Sequence, residues 1–451
     1  MTTQRLLLVN PVNTARSGFS VNHSSRFPPL SLGVVAALTP ASWDVEMVDE
    51  NIQPFEFREA DLVGITAFTS AANRAYEIAG MYRAQGTPVV MGGIHASMCP
   101  DEAIQFVDSV VVGEAESAWR QLLDDLETGQ LKKRYHGEWL DPTALPPPRR
   151  DIYSDKYRFA SIQAARGCPL GCDFCSVTAY NGRRYRRRPT ADILDELETI
   201  PNEMLFFVDD NIIGYGSHCQ QEALALFQGM VERGIEKQWF CQASINVADN
   251  PEVLEWAGRA GCRMIFLGIE AADDHALEEV NKRLNLKHGV SSYEETFDRI
   301  HQAGIAVLGA LIFGMDGDTP DILHQRADFM IQSGMDVMQT TVMTPLPGTR
   351  LFERLQDEGR LLYTDFPRDW VRYDLTDLLH QPANIDRTEM CKAIQECILR
   401  VYDPAVLKAK AKQTLKVTGS IPTMEFAYWA NMNYRTIVTE NRAIMAADSS
   451  L

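Results

Sequence analysis

Two successive series of alternating strand-like and helix-like segments, a proline-rich break between them and a helical tail predict an α/β chain. The expected architecture is a doubly wound parallel sheet, then a partial (β/α)6 barrel, then a mainly helical C-terminal region. The 451 residues allow two or three domains at roughly 150 residues each. With 45% hydrophobic and 23% charged residues, the composition is that of an ordinary globular protein.

The first series has apolar runs at residues 5–10 (RLLLVN), 45–49, 62–66 (LVGIT), 89–91 and 110–112, with helical patterns at 30–38, 71–85 and 100–106. Such alternation implies parallel βαβ units, whose ligands sit beyond the C-terminal strand ends where the strand order reverses. Three of these ends carry small or polar residues: Thr66 to Ser70, Gly92 with Gly93, and Gly113 with Glu114. Glycine there lets backbone approach a ligand closely. We assign residues 1–140 to this domain. The stretch 140–150 (LDPTALPPPRR) suits neither a helix nor a central strand. Residues 141–158 are read as a linker, although a loop packed on one domain fits them equally.

The second series has strand-like runs at 159–165, 204–208, 239–243, 264–268, 306–313 and 338–343, with helical patterns at 191–199, 219–233, 251–260, 292–303 and 321–333. Six βα units over residues 159–350 make a partial barrel, with chemistry expected at the C-terminal strand ends. Residues 351–451 are helical in pattern and aromatic (Trp370, Tyr373, Tyr402, Phe426, Tyr428, Trp429, Tyr434). This third region covers the barrel mouth or caps its end, the latter being slightly favoured.

Lys and Arg number 43 against 61 Asp and Glu, a net charge of −18 that disfavours non-specific nucleic-acid binding. No apolar run reaches the ~18 residues of a membrane span, and the N-terminus lacks a signal-peptide layout, so a cytoplasmic location is expected. Of nine cysteines, three fall within residues 168–175 (CPLGCDFC). Clustering in a reducing compartment points to a metal rather than to disulfides. A structural zinc wants four protein ligands, and no fourth Cys or His stands at suitable spacing. Iron–sulfur clusters are held by thiolates at comparably short spacings, and three thiolates on a four-iron cluster leave one iron open. Gly167 and Gly171 allow tight wrapping of the backbone, and Phe174 helps exclude water. Cys219, Cys241 and Cys262 are read as core residues, and no second cluster motif is present.

The C-x3-C-x2-C spacing after the first barrel strand resembles that of radical S-adenosylmethionine (SAM) enzymes. The resemblance implies that Cys168, Cys172 and Cys175 hold a [4Fe–4S] cluster whose open iron is chelated by SAM. A one-electron donor such as flavodoxin or ferredoxin is implied with it. Phe174 matches the position whose backbone meets the adenine. Asp209 and Asp210 are candidates for the SAM amino group, a helix cap or solvated turn being the competing reading. Gln242, Ser244 and Glu270 are candidates for the carboxylate or ribose, and Gly309 lies on the strand expected beside the adenine. Residues 345–349 (PLPGT) resemble the barrel-ending turn of one subgroup.

That subgroup is the cobalamin-binding radical SAM family, whose Rossmann-like N-terminal domain the first series resembles at residues 27–30 (FPPL), 61–66 (DLVGIT), 92–95 (GGIH), 100–102 (PDE) and 113–116 (GEAE). The cobalamin contacts implied are Thr66, Ser70, Gly92, Gly93, His95, Gly113 and Glu114. The D-x-H-x-x-G motif that supplies a cobalt ligand in many cobalamin proteins is absent, so a purely structural His95 is at least as good a reading. The resemblance implies a methyltransferase acting on an unactivated carbon of a small-molecule or lipid substrate, through a 5′-deoxyadenosyl radical and methylcobalamin. The alternatives are a cyclisation, rearrangement or carbon–carbon coupling with the same cofactors, and a non-catalytic cobalamin or cluster sensor. No further catalytic residue is assigned. The run 183–188 (RRYRRR) is expected to pair with local acidic residues rather than to bind nucleic acid.

Overall fold

The computed structural model describes residues 4–15 and 27–448; the remaining positions of the predicted first domain and the last three of the tail lie outside it. The first sheet comprises β1 (Gln4–Asn10), β2 (Trp43–Asp49), β3 (Leu62–Thr66), β4 (Val89–Gly92), β5 (Ser109–Val112) and β6 (Arg134–His136), in the order β2-β1-β3-β4-β5-β6. All pairings are parallel, and the order reverses between β1 and β3. Parallel strands buried on both faces read as continuous apolar runs. In β1, Leu7 and Val9 pack under the helices Ala72–Arg83 and Pro100–Phe106, while Leu6 and Leu8 face Leu30–Leu38 and Trp119–Glu127.

The second sheet runs β7 (Phe159–Ile162), β10 (Met204–Phe207), β11 (Gln238–Ala243), β12 (Cys262–Glu270), β13 (Ala306–Phe313) and β14 (Val337–Val342), each parallel to its neighbour in chain order. It is an open, six-stranded partial barrel. Between β7 and β10 lies a short antiparallel ribbon, β8 (Ala165–Arg166) with β9 (Arg186–Arg187). The predicted run 159–165 therefore breaks: the Ala164 amide donates to the Asp209 carboxylate at 3.0 Å, and the chain turns into the ribbon.

Residues 145–158 are a packed loop rather than a free tether. The Arg149 amide donates to the Gly33 carbonyl at 2.9 Å, and a side chain at Gly33 would strike the Tyr153 ring. Arg150 reaches the Ser161 carbonyl at 2.8 Å and Glu196 at 2.6 Å.

The C-terminal region packs on the first sheet's core and closes the barrel base. A strap around the short helix Arg368–Arg372 buries Trp370, Tyr373 and Leu379 against the first sheet's core. It is pinned by Trp370 Nε1 donating to Glu102 at 2.9 Å, Asn13 to the Val371 carbonyl at 2.8 Å and Asn73 to the Arg368 carbonyl at 3.0 Å. The helices Arg387–Val401 and Pro404–Thr418, capped by Asp386 and Asp403, lie outside the barrel. The last helix, Ile421–Asp448, inserts Phe426, Ala427 and Ala430 into the barrel base against Phe159, Met264, Leu308 and Val337. Tyr434 of that helix donates to Gln339 at 2.8 Å.

Candidate active site

The cysteine loop leaves β8 through Gly167, which has φ 88°; a side chain there would lie 2.3 Å from the Arg184 carbonyl oxygen. Only glycine permits this turn. The Cys168 amide donates to the Gly182 carbonyl at 3.2 Å, stapling the loop to the turn before β9. Cys168, Cys172 and Cys175 line one cavity of about 310 Å³ at the C-terminal ends of the barrel strands. Burial pushes all three thiols up, Cys175 to about 12. As thiolates they need nearby positive charge, which iron provides. No three His, Cys, Asp or Glu side chains among the described residues are disposed to hold a single metal ion. Three thiols lining one cavity, with no other Cys or His among the described residues of its wall, suit a cluster with one open iron better than a four-ligand structural zinc.

Phe174, Asp210, Gln242, Ser244 and Glu270 line the same cavity. Asn181 donates to Asp210 at 3.0 Å, and Asn211 donates to the Ser244 hydroxyl at 3.0 Å. Asp209 and Gly309 are not brought there. Asp209 is fully buried behind the strand ends, where it braces β7, and burial pushes its carboxyl up to about 6. A side chain at Gly309 would lie 2.0 Å from the Met335 sulfur, so this position faces outward and its neighbour Ala310 faces the cavity. Strand alternation makes that choice.

Glu270 has φ 63°, a rare conformation for a side-chain-bearing residue. It ends β12 at a register break and turns its carboxylate toward Lys282, whose Nζ is 2.6 Å away. Gly268 makes room for this pair: a side chain there would lie 2.4 Å from Glu270 Oε1 and 2.7 Å from Lys282 Nζ. Burial alone would lower the Lys282 pKa, but Glu270 and the thiols of Cys172 and Cys175 reverse this and hold it protonated. Lys282 was missed by sequence reasoning, as were Gln339, Thr341 and Thr344 on the last-strand wall. No local motif marks any of them. A paired carboxylate and ammonium beside the thiols offer receptors for both charged groups of an amino acid.

Thr66, Ser70, Gly92, Gly93 and Gly113 lie partly exposed at the ends of β3, β4 and β5. Above Gly92 the nearest atom to a would-be side chain is 3.9 Å away, leaving the backbone open to a ligand. Gly93 and Gly113 have φ 87° and 85°, which suits glycine. The helix Gly93–Met98 places Met98 against Gly348, so these strand ends face the top of the barrel.

Two further cobalamin candidates are engaged inside the fold. His95 is 0% exposed, with Nε2 2.9 Å from the Tyr76 hydroxyl and 3.3 Å from Glu102. The Glu114 carboxylate is already occupied by Arg186 at 3.0 Å and Arg166 at 3.4 Å. With the Arg166–Glu116 pair at 2.7 Å, it clamps the end of β5 to the ribbon. Within the arginine run, Arg187 donates to the Ile212 carbonyl at 2.9 Å and Arg188 pairs with Glu196 at 2.6 Å.

A doubly wound sheet presenting glycines toward an open barrel with a three-cysteine loop defines a class, and the chain belongs to the cobalamin-binding radical SAM family. Residues 162–330 match the radical SAM superfamily model and residues 20–123 the B12 binding domain model. The chain is 32% identical over 415 residues to bacteriochlorophyllide d C-12(1)-methyltransferase of Chlorobaculum tepidum, covering 88% of this chain and 87% of that protein. It is 31% identical over 435 residues to hopanoid C-2 methylase of Rhodopseudomonas palustris, covering 90% and 78% respectively. The fold resembles that of the radical SAM methyltransferase TsrM from Kitasatospora setae, at TM-score 0.70 and 16% identity over 99% of this chain and 100% of that one. It also resembles the cobalamin-dependent enzyme OxsB, at TM-score 0.71 and 16% identity over 94% and 72%. The protein is thus a radical SAM enzyme whose cofactors are a [4Fe–4S] cluster, SAM and cobalamin. No helix among the described residues is long and apolar enough to cross a membrane.

Proposed function

We propose that the protein is a C-methyltransferase acting on an unactivated carbon of a small-molecule or lipid substrate. The observation that carries this reading is that the helix after β4 packs through Met98 on Gly348, in the turn that follows Thr344 and Leu346 of the cysteine cavity, so a substrate there would lie near both cofactors. When bound, the cluster and SAM supply a 5′-deoxyadenosyl radical, and cobalamin supplies the methyl group. Cys168, Cys172 and Cys175 hold the cluster. Glu270 and Lys282 orient the charged groups of SAM, Gln242, Ser244 and Asp210 take its remaining polar groups, and Phe174 borders the adenine. Thr66, Ser70, Gly92, Gly93 and Gly113 receive cobalamin. Phe266, Ile312, Val342, Met343 and Leu375 give the cavity an apolar wall.

The relatives support the same chemistry, since those named above methylate bacteriochlorophyllide and a hopanoid. In this reading residues 1–140 form the cobalamin domain, 159–350 the barrel and 351–451 the covering region, joined by 141–158. The protein works in the cytoplasm, where a flavodoxin or ferredoxin supplies electrons.

The test uses SAM labelled in its methyl group with the reconstituted enzyme and bacteriochlorophyllide or hopanoid acceptors. Label is expected in product together with 5′-deoxyadenosine. Deoxyadenosine formation with an altered but unlabelled product would overturn methyl transfer in favour of cyclisation or rearrangement. Replacing Cys168, Cys172 and Cys175 with Ala is expected to abolish iron uptake, and a persistent four-iron signal would refute the ligand assignment.

A further inference from the structure

Guanidinium groups from three separate elements converge on the outer side of the cysteine loop. Arg350, at the start of the helix Arg350–Asp357, donates to the Gly171 carbonyl oxygen and, through Nε at 2.9 Å, to Asp173. Arg283 is held by Asn281 Oδ1 at 2.7 Å, and Asn281 donates to the same Gly171 carbonyl at 2.7 Å. Arg183 lies over Gly171 itself: a side chain there would be 2.5 Å from its Nη2. Arg184 follows, with its carbonyl against Gly167.

Arg183, Arg184 and Arg283 are exposed and form no salt bridge among the described residues. The acidic groups beside these arginines are Asp173, paired with Arg350, and Asp141, which feels Arg184. The later arginines of the run are engaged internally, so these exposed ones are what internal pairing leaves over. The inner side of the same loop carries Cys168, Cys172 and Cys175, one chain thickness away.

A chain of net charge −18 repels acidic proteins on average. A basic patch at one place on such a surface selects where an acidic partner lands and sets its approach rate. We propose that the cluster of Arg183, Arg283 and Arg350, with the exposed Arg184 next in the chain, is the docking surface for the acidic one-electron donor protein, placing its redox centre against the outer side of the cysteine loop. This rests on the function proposed above. One electron leaves the donor, which is oxidised by one unit, and reduces the cluster by one unit; no proton or bond is exchanged.

The test uses cluster-loaded enzyme and reduced flavodoxin as the probe donor, with cluster reduction followed by rapid-mixing spectroscopy and EPR. Arg183→Glu/Arg184→Glu and, separately, Arg283→Glu are expected to slow reduction about tenfold or more at low ionic strength, the difference shrinking as salt is added. The fraction of cluster reduced by dithionite is expected to stay unchanged. Unchanged flavodoxin rates in both variants would overturn the proposal. A parallel loss of dithionite reduction would also overturn it, by showing that the arginines set the cluster's potential instead. A single-stranded RNA that binds this face without slowing flavodoxin would make it a nucleic-acid site and refute donor docking. Failure of the unmodified protein to take up a cluster would refute the functional reading itself, an outcome distinct from the others.

Discussion

Replacing Lys282 with Met keeps the side chain's length and removes its charge beside Glu270. The pair is 2.6 Å apart, and the two side chains are 13% and 8% exposed, so solvent screens it little. Removing one partner of a buried pair leaves an uncompensated charge and typically costs about 3–5 kcal/mol. At roughly 2–4 °C per kcal/mol for a domain of the barrel's size, the lower figure gives a fall in Tm of about 6–12 °C. The assay is anaerobic thermal unfolding of the cluster-free protein, so that no ligand contributes. Replacing Glu270 with Met as well removes the stranded carboxylate, and the double variant is expected to recover at least half of the loss. A fall below about 2 °C, or no recovery in the double variant, would show that the pair is not the electrostatic unit described. In cluster-loaded protein, the single variant is also expected to bind SAM roughly a hundredfold more weakly, since about 3 kcal/mol corresponds to that factor.

Gly268→Ala puts a methyl group 2.4 Å from Glu270 Oε1, so calorimetric SAM affinity is expected to fall at least tenfold while iron content stays unchanged. The Asp209 carboxyl, raised by burial to about 6 from 3.8, holds its proton more tightly when folded, so stability is lost as pH rises from 3.8 through about 6. Asp209→Asn keeps an acceptor for the Ala164 amide and is expected to raise Tm by an increment that grows over that interval and then levels off; a pH-independent increment would refute this. His95→Gln is expected to leave the EPR spectrum of bound cob(II)alamin unchanged, because His95 faces Tyr76 and Glu102; loss of a nitrogen coupling would reinstate it as a cobalt ligand.

That Cys168, Cys172 and Cys175 share one cavity was legible because all three lie on one short loop, where spacing limits how far apart they can be. Lys282 was not, because its place depends on a left-handed turn at Glu270 and on two short helices, Asp274–Glu279 and Arg283–His288, that carry no strong periodic pattern. Gly309 shows a limit of buried strands. Every residue of β13 is buried, so hydrophobicity cannot tell the cavity side from the helix side. At the end of β10 two adjacent aspartates differ only in which way the turn aims them, and Asp210 is the one that reaches the cavity. His95 looked like a strand-end ligand, but a helix starts at Gly93 and rotates it inward. The doubly wound sheet, the six barrel strands and the helical tail followed from periodicity, whereas the strand order did not. The helix Trp119–Glu127 and the three-residue edge strand β6 did not, the latter being too short for any pattern to register.

The last helix makes the barrel a cul-de-sac. With Phe426 and Ala430 filling its base and Tyr434 tied to Gln339 on the cavity wall, traffic runs through the end that faces the first sheet. An inner guest must then arrive before an outer one and depart after it. If SAM sits beside the cysteines as proposed, it is expected to bind before the methyl acceptor, and product-inhibition kinetics showing random binding would refute this. The helix that closes the base thereby ties binding order to the shape of the barrel.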